Sequence, residues 1–326
     1  RMWVGDMVNE KQKGLAYSIQ SFLCNAGSLV GFLFPFIFTW IGISNIAPQG
    51  VVPDSVIYSF YIGAAILILC VIYTTVKVKE MPPAEYAEYH GITEEEKKEK
   101  INMVKLLVKA PKAFWTVGLV QFFCWFAFMF MWTYTNGSVA ANVFDAPTVE
   151  TVVNGANKVV LDTKSIQYQN AADWVGVLFA VQAIGSVLWA VCIPMFKNRK
   201  LIYSLSLVLG GIGFISTYFV HNQYVLFISF LLIGCAWAAM LALPFTILTN
   251  ALSGGHMGTY LGLFNGTICI PQIVAATLGG SILALFTPKG MLPPEINMLV
   301  MAGVMLIIGA VCVYLIKETK GEQAKA

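Results

Sequence analysis

The sequence predicts an all-α membrane protein, folded as a polytopic bundle of eight transmembrane helices. Hydrophobic residues make up 58% of the chain and charged residues 11%, and the mean hydropathy is +0.73. About a quarter of the residues of soluble proteins are charged, so this composition indicates burial against lipid and other helices. Eight apolar segments are each long enough to cross a bilayer, which takes roughly 20 helical residues, and the cationic residues lie between them.

Short loops at Lys197–Lys200, His221–Gln223 and Ser253–Thr259 join some of the segments, and a long polar loop lies on each side of the membrane. We place the segments at Ser18–Trp40, Ile57–Val76, Phe114–Asn136, Asp173–Met195, Leu201–Val220, Tyr224–Asn250, Tyr260–Phe286 and Met298–Ile316.

The distribution of Lys and Arg predicts the orientation of the chain. When successive segments alternate in direction, all 20 Lys and Arg residues except Lys158, Lys164 and Lys289 fall on one side. Cytoplasmic loops carry the excess of positive charge in membrane proteins, so we assign this side, with both ends of the sequence, to the cytoplasm. We expect a multi-pass monomer of the cell membrane that is surrounded by the lipid bilayer and has no nucleic-acid partner.

A long cytoplasmic stretch from Lys77 to Lys112 separates the first two segments from the last six. It contains Glu and Lys at helical spacing and an amphipathic piece, Ile101–Val108, which favours a surface helix with a solvated face. The chain is therefore predicted to have three parts: residues 1–80 with two segments, a middle loop at 81–112, and a six-helix unit at 113–326.

The long loop on the opposite side, Ser138–Asn170, is predicted to contain a β-hairpin. Thr and Val residues alternate on both sides of Asn154-Gly155. Asn-Gly suits a type I′ turn between two strands, so the turn is expected at this pair.

Asp, Glu, Lys, Arg and His are absent from the interior of all eight segments, and Asp173 lies only at a rim. Acidic and basic groups inside a membrane mark ion and proton pathways. If the protein couples transport to an ion through a carboxylate, that carboxylate is therefore expected outside this sequence. The seven cysteines lie in the segments without a C-x-x-C pair and are interpreted as structural, and no metal or cofactor is expected. The histidines, in three separate loops, do not form the cluster that an integral-membrane enzyme needs; they are His90, His221 and His256.

Amides and indoles form stripes on two segments. In the third segment the stripe repeats at steps of three and four residues, which places its members on one helical face; they are Gln121, Trp125, Phe128, Trp132 and Asn136. In the fourth segment, Gln182, Ser186 and Trp189 repeat this spacing. Indoles offer apolar faces for sugar rings, and amides bond hydroxyl groups. The alternatives are an interfacial aromatic belt and glutamines that join helices.

Small residues and prolines mark places where helices approach or bend. Gly27-x-x-x-Gly31 and Gly262-x-x-x-Gly266 are typical of close helix packing, with sliding at a gate as the alternative. Pro244 and Pro271 each free a backbone carbonyl at membrane depth, which indicates a bend or the lining of a binding site.

The stretch Leu241–Gly280 resembles the tenth and eleventh helices of sucrose transporters and their bacterial relatives. It has a Pro-aromatic pair, a loop with glycines, and G-x-x-N followed by I-P-Q; these positions are Pro244, Phe245, Gly262, Asn265, Ile270, Pro271 and Gln272. The run Gly5–Gly31 is similar to the fifth helix of the same transporters and the loop before it. The chain thus resembles the major facilitator superfamily, and within it the glycoside–pentoside–hexuronide-like symporters.

This resemblance implies that the eight segments are helices five to twelve of a twelve-helix transporter. The sequence starts at Arg1, without a signal-peptide pattern, so we expect it to be truncated at its N-terminus. The family implies symport of a disaccharide such as sucrose or maltose with a cation, here assigned as a proton, by rocking of two six-helix halves.

The six residues assigned to sugar binding are Asn25, Gln121, Trp125, Gln182, Asn265 and Gln272. Those assigned to helix bending or gating are Gly27, Gly31, Pro244, Gly262, Gly266 and Pro271. The alternatives are a facilitator or exporter of another polar solute, a membrane receptor and, more distantly, an integral-membrane enzyme, since a fold alone does not fix the substrate.

Overall fold

The computed structural model of the chain is an all-α bundle with one small hairpin. It describes residues 12–43, 52, 54–79, 82, 85, 103–153, 156–196, 198–251, 257–288 and 290–316. In these residues the helices are α1 (Lys13–Trp40), α2 (Asp54–Lys77), α3 (Met103–Val108), α4 (Lys112–Asn142), α5 (Ile166–Cys192), α6 (Arg199–Ser216), α7 (Leu226–Ala251), α8 (Met257–Phe264), α9 (Gly266–Phe286) and α10 (Ile296–Cys312). The strands are β1 (Thr148–Val153) and β2 (Ala156–Leu161).

All eight expected segments are helical, and the predicted all-α polytopic architecture is confirmed. Among the described residues, seven stretches are long and apolar enough to span a membrane, and α1 contains a shorter apolar run, Phe22–Phe34. The expected segment Tyr260–Phe286 comprises two helices, α8 and α9, with Asn265 between them. The backbone N–H groups of Ile268 and Cys269 donate to the Asn265 carbonyl, so the two helices continue as one membrane stretch.

Capping side chains determine where several helices begin. The Ser165 hydroxyl accepts the backbone N–H of Tyr168 at 3.3 Å, which starts α5 seven residues before the expected Asp173. The Asn198 side chain accepts the N–H of Leu201 at 3.1 Å and starts α6. Such caps satisfy N–H groups that have no partner within the helix, so polar residues at the rim lengthen the helices beyond their apolar segments.

Helices α4 and α7 form the centre of the described bundle. α4 packs against α5, α7, α9 and α10, and α7 also packs against α1, α5 and α6. Most of their residues are buried, whereas α2 is exposed along nearly its whole length. Its apolar side chains suit a lipid environment, because lipid is as apolar as the side chains themselves.

Glycines allow α6 to lie between α7 and α10. A Cβ on Gly211 would lie 2.9 Å from the Gly303 carbonyl oxygen of α10, and a Cβ on Gly213 would lie 2.6 Å from the Ser229 carbonyl oxygen of α7. A second close approach joins α5 to α7 at Gly185 and Gly234. Only a residue without a side chain permits such backbone contacts.

The structure corrects the packing expectation for the two G-x-x-x-G motifs. A Cβ at Gly27, Gly31 or Gly262 would have no described atom within 4 Å, and one at Gly266 would meet only Ile270 of its own helix. Gly27 and Gly31 line an open groove of about 600 Å³ between α1 and α2. The spacing marks a thin helix face, but it does not specify whether another helix passes over that face. The gating assignment of these glycines stays a prediction.

The expected β-hairpin is confirmed. β1 and β2 pair antiparallel from Thr148 opposite Leu161 to Val153 opposite Ala156. This register leaves Asn154 and Gly155 as the two-residue connection, and both lie outside the described residues. The hairpin lies beyond the C-terminal end of α4, and we call this end of the bundle the hairpin end.

A short helix, α3, covers Met103–Val108 of the amphipathic piece. The Glu and Lys residues of the predicted surface helix lie outside the described residues. The Tyr260 hydroxyl of α8 donates to the Leu106 carbonyl oxygen at 3.3 Å, which attaches α3 to the bundle. Most of the middle loop at 81–112 lies outside the described residues, and the three-part division of the chain stays a prediction.

Candidate functional site

The predicted stripe on α4 lies against α7 and α5. Its first member, Gln121, is fully buried, and its amide Nε2 donates to the Met240 carbonyl oxygen of α7 at 3.1 Å. Its last member, Asn136, donates from Nδ2 to the Tyr168 hydroxyl of α5 at 2.9 Å. The stripe therefore runs from the middle of α4 towards its C-terminal end.

The carbonyl that Gln121 holds is the one freed by Pro244. In an α-helix the N–H of residue 244 would donate to the carbonyl of residue 240, and proline has no N–H. Helix α7 nevertheless continues through Pro244. Gln121 therefore replaces the missing backbone donor, which supports the structural interpretation of this glutamine and joins it to a residue assigned to helix bending.

Three buried polar atoms without a hydrogen-bond partner lie on the same stripe: Gln121 Oε1, Trp125 Nε1 and Asn136 Oδ1. The Tyr203 hydroxyl is also buried, but it lies beside the Cys124 thiol. Buried polar groups are normally hydrogen-bonded. Their concentration on one helix face indicates a place where a polar ligand or ordered water is bound.

The indole cluster consists of Trp125 and Trp132 of α4 and Trp237 of α7. The ring centroids of Trp237 lie 5.8 Å from those of both other indoles, in edge-to-face geometry. Trp125 is 8% exposed and Trp132 is 41% exposed, so the cluster extends from the interior to an accessible surface. Trp237 was not among the predicted site residues, because it belongs to no polar stripe; the available signal was the single indole of the segment Tyr224–Asn250.

Asn25 and Gln182 lie at the contact between α1 and α5. The Ser186 hydroxyl donates to Asn25 Oδ1 at 3.0 Å, and both residues are fully buried. The Phe32 and Phe179 rings meet at 5.5 Å along the same antiparallel pair. Gln182 is buried one turn from Ser186. The structure thus brings these two predicted residues to one interface, separate from the α4–α7 contact of Gln121 and Trp125.

Asn265 and Gln272 lie on the other flank of α4. Asn265 is exposed at the junction of α8 and α9, and Gln272 is half-buried on α9. α9 approaches α4 where a Cβ on Gly118 would lie 3.0 Å from Thr267, and again where one on Gly279 would lie 2.6 Å from the Tyr134 hydroxyl. Gln272 lies between these two contacts, as Gln121 and Trp125 do on α4. The binding role of Asn265 and Gln272 stays a prediction.

A half-buried carboxyl lies at the hairpin end of the bundle. Glu295 precedes α10, and its carboxyl is packed against the backbone of Gly137 of α4. Burial raises the pKa of the Glu295 carboxyl from the ordinary 4.5 to about 7. The titratable group nearest to it on α4 is the Tyr134 phenol.

We expect the raised pKa of Glu295 to make stability depend on pH. The folded protein binds the proton more tightly than the unfolded chain, so the contribution of this carboxyl to stability is fully present below pH 4.5 and is lost as the pH rises through about 7. Glu295→Gln should therefore raise the thermal midpoint at pH 8 by about 3 °C or more while changing it little at pH 4.5. Glu150→Gln, at an exposed position of β1, is the control. An equal shift at both pH values for Glu295→Gln would contradict this prediction.

Residues 139–326 match the sequence family described as the Major Facilitator Superfamily. This match begins in the last turn of α4 and covers the hairpin and every helix that follows. The comparison with curated proteins finds no match.

Proposed function

Because the chain belongs to the major facilitator superfamily, a family of membrane transporters, we propose that it is a secondary active transporter for a disaccharide such as sucrose or maltose. The coupling ion of this proposal is a proton. The observation that carries it is the pair of buried, unpartnered atoms Gln121 Oε1 and Trp125 Nε1, one helical turn apart on α4 and beside the indole cluster.

The chemistry of this pair suits a hydroxyl group. Gln121 Oε1 is an acceptor and Trp125 Nε1 is a donor, whereas a hydroxyl both donates and accepts. Neither side chain carries charge, and α4 and α7 hold no Asp, Glu, Arg or His and only Lys112 at the first position of α4. A neutral ligand rich in hydroxyl groups fits this arrangement better than an ion, which needs a counter-charge in a buried site.

The indole cluster supplies the second feature that a sugar requires. One side of a pyranose ring is made of C–H groups, and an indole face provides an apolar surface for it. Trp132 and Trp237 lie next to Trp125, whose N–H is one of the two unpartnered atoms, and both retain accessible surface. An elongated ligand of two rings would extend along the stripe from Gln121 towards Asn136, whose amide oxygen is the third unpartnered atom.

Movement of the helices is the remaining requirement for transport. The proposal assigns α1 and α2 to one half and α4 to α10 to the other, with the Asn25–Ser186 bond across the contact between them. Rocking of the halves about the bound ligand would give alternating access. The resemblance to sucrose symporters supports the coupling cation.

The test is uptake of labelled sucrose, maltose and monosaccharides by the full-length protein in proteoliposomes, with and without a proton gradient. Trp125→Phe keeps an aromatic ring and removes only the N–H donor. We expect it to raise the KM for the transported disaccharide about tenfold, the effect of one lost buried hydrogen bond.

The matched control is Trp174→Phe. The Trp174 indole donates to the Gln223 carbonyl oxygen at 3.2 Å, at the start of α7 and away from the stripe. This variant should leave the KM within about twofold of the original value. An unchanged KM for Trp125→Phe would show that the indole N–H does not bond the sugar. Uptake of none of the sugars would favour another polar solute, and uptake that ignores the gradient would favour a facilitator.

A further inference from the structure

The Gln121 amide is connected to α7 in a way that defines its orientation. The Met240 carbonyl oxygen can only accept a hydrogen bond, so the amide nitrogen must face it, and the 3.1 Å contact is made by Nε2. The amide oxygen then faces away from Met240. It is buried and has no partner, although the nitrogen of the same amide donates to the Met240 carbonyl oxygen at the break in α7.

We propose that Gln121 is a positioning residue that couples occupancy of the site to the Pro244 break of α7: its nitrogen holds the freed Met240 carbonyl, and its oxygen accepts a ligand hydroxyl. This inference rests on the proposed function and deepens it, since it assigns to one side chain both ligand contact and control of a helix bend.

The coupling follows from the chemistry of the amide. A hydroxyl that donates to Oε1 draws electron density towards the oxygen and makes the Nε2–H a stronger donor, because linked hydrogen bonds reinforce each other. Ligand binding therefore strengthens the bond to Met240 and holds α7 in its present form. In the absence of ligand, the weaker bond allows the helix to bend at Pro244, where one backbone hydrogen bond of the helix is missing.

A stability cycle without ligand tests the link between Gln121 and Pro244. Gln121→Leu leaves the Met240 carbonyl unpaired and should lower the thermal midpoint by roughly 5 °C. In the Pro244→Ala background the new backbone N–H can donate to Met240, so the same substitution should cost less than half as much. Gln182→Leu, at a buried glutamine of α5, is the control and should cost the same in both backgrounds.

Transport kinetics test the coupling itself. Pro244→Ala alone should keep the disaccharide KM within about threefold and lower kcat about tenfold. The new backbone N–H bonds the Met240 carbonyl whether or not ligand is bound, and it therefore opposes the bending of α7. Gln121→Leu with Pro244→Ala should regain thermal stability and still show a KM raised about tenfold.

Two results would overturn the proposal. Equal thermal costs of Gln121→Leu in both backgrounds would show that its amide does not serve the Pro244 break. A normal KM in the stable double variant would show that Gln121 is structural only and does not contact the ligand. Absence of uptake of any sugar by the unsubstituted protein would instead refute the proposed function, and the stability cycle would still decide the link to Pro244.

Discussion

Gly234→Ala is expected to destabilise the protein by more than about 2 kcal/mol, because the added methyl group has no space between α7 and α5. A Cβ at this position would overlap the Gln182 carbonyl oxygen and would lie 2.7 Å from the Ser186 backbone nitrogen. These are backbone atoms of a helix that α1 also packs against. A side chain could rotate away, but a helix backbone can only shift as a unit, so neighbouring contacts are lost as well.

A fall in the free energy of unfolding distinguishes this clash from the slight gain that replacing a helical glycine with alanine normally gives. Gly280→Ala is the control, because a Cβ there would meet nothing within 4 Å. Alanine is the better helix former by about 0.5–1 kcal/mol, so this variant should be slightly more stable. Thermal or denaturant unfolding in detergent measures both variants. Stabilisation by both substitutions would mean that α5 and α7 do not touch at Gly234.

Asn25→Asp is expected to cost about 3 kcal/mol or more at pH 8, although the two side chains have nearly the same shape. Asn25 is fully buried between α1 and α5, where its Oδ1 accepts the Ser186 hydroxyl. A carboxylate at this position would be removed from water without a cation beside it in the described part of α1 or α5. Burial of an uncompensated charge costs several kcal/mol.

Asn222→Asp is the matched control for this substitution. Asn222 is exposed, and its Oδ1 accepts the backbone N–H groups of Tyr224 and Val225 before α7. A carboxylate accepts such bonds equally well and interacts favourably with a helix N-terminus, so this variant should be neutral or slightly stabilising. Equal stability of Asn25→Asp and the unsubstituted protein at pH 8 would mean that water reaches Asn25.

Hydropathy was sufficient to locate the membrane helices, because a bilayer requires long apolar runs whatever the tertiary contacts are. Hydropathy did not locate the ends of the helices as well. α5 starts at Ile166 because Ser165 caps it, and α4 continues to Asn142 through small and polar residues beyond its apolar segment. Local turn chemistry was equally informative for the hairpin around Asn154-Gly155.

The candidate site was predictable in part: features within one helix could be predicted, and contacts between helices could not. Spacing alone placed Gln121, Trp125 and Asn136 on one face of α4, since a regular helix fixes which side chains share a face. It did not show that Trp237 of α7 completes the indole cluster. Nor did it show that Gln121 bonds the carbonyl freed by Pro244, although both residues had been singled out separately.

The sequence by itself determined the class of the protein, the positions of its long apolar helices and the uncharged character of the candidate site. These properties depend on composition and on periodicity within single helices. The tertiary structure decided which glycines make contact: Gly234 and Gly303 touch neighbouring helices, whereas Gly27 and Gly262 do not. It also decided which polar groups are partners, because contacts between helices depend on rotation and depth, which no pattern within one helix specifies.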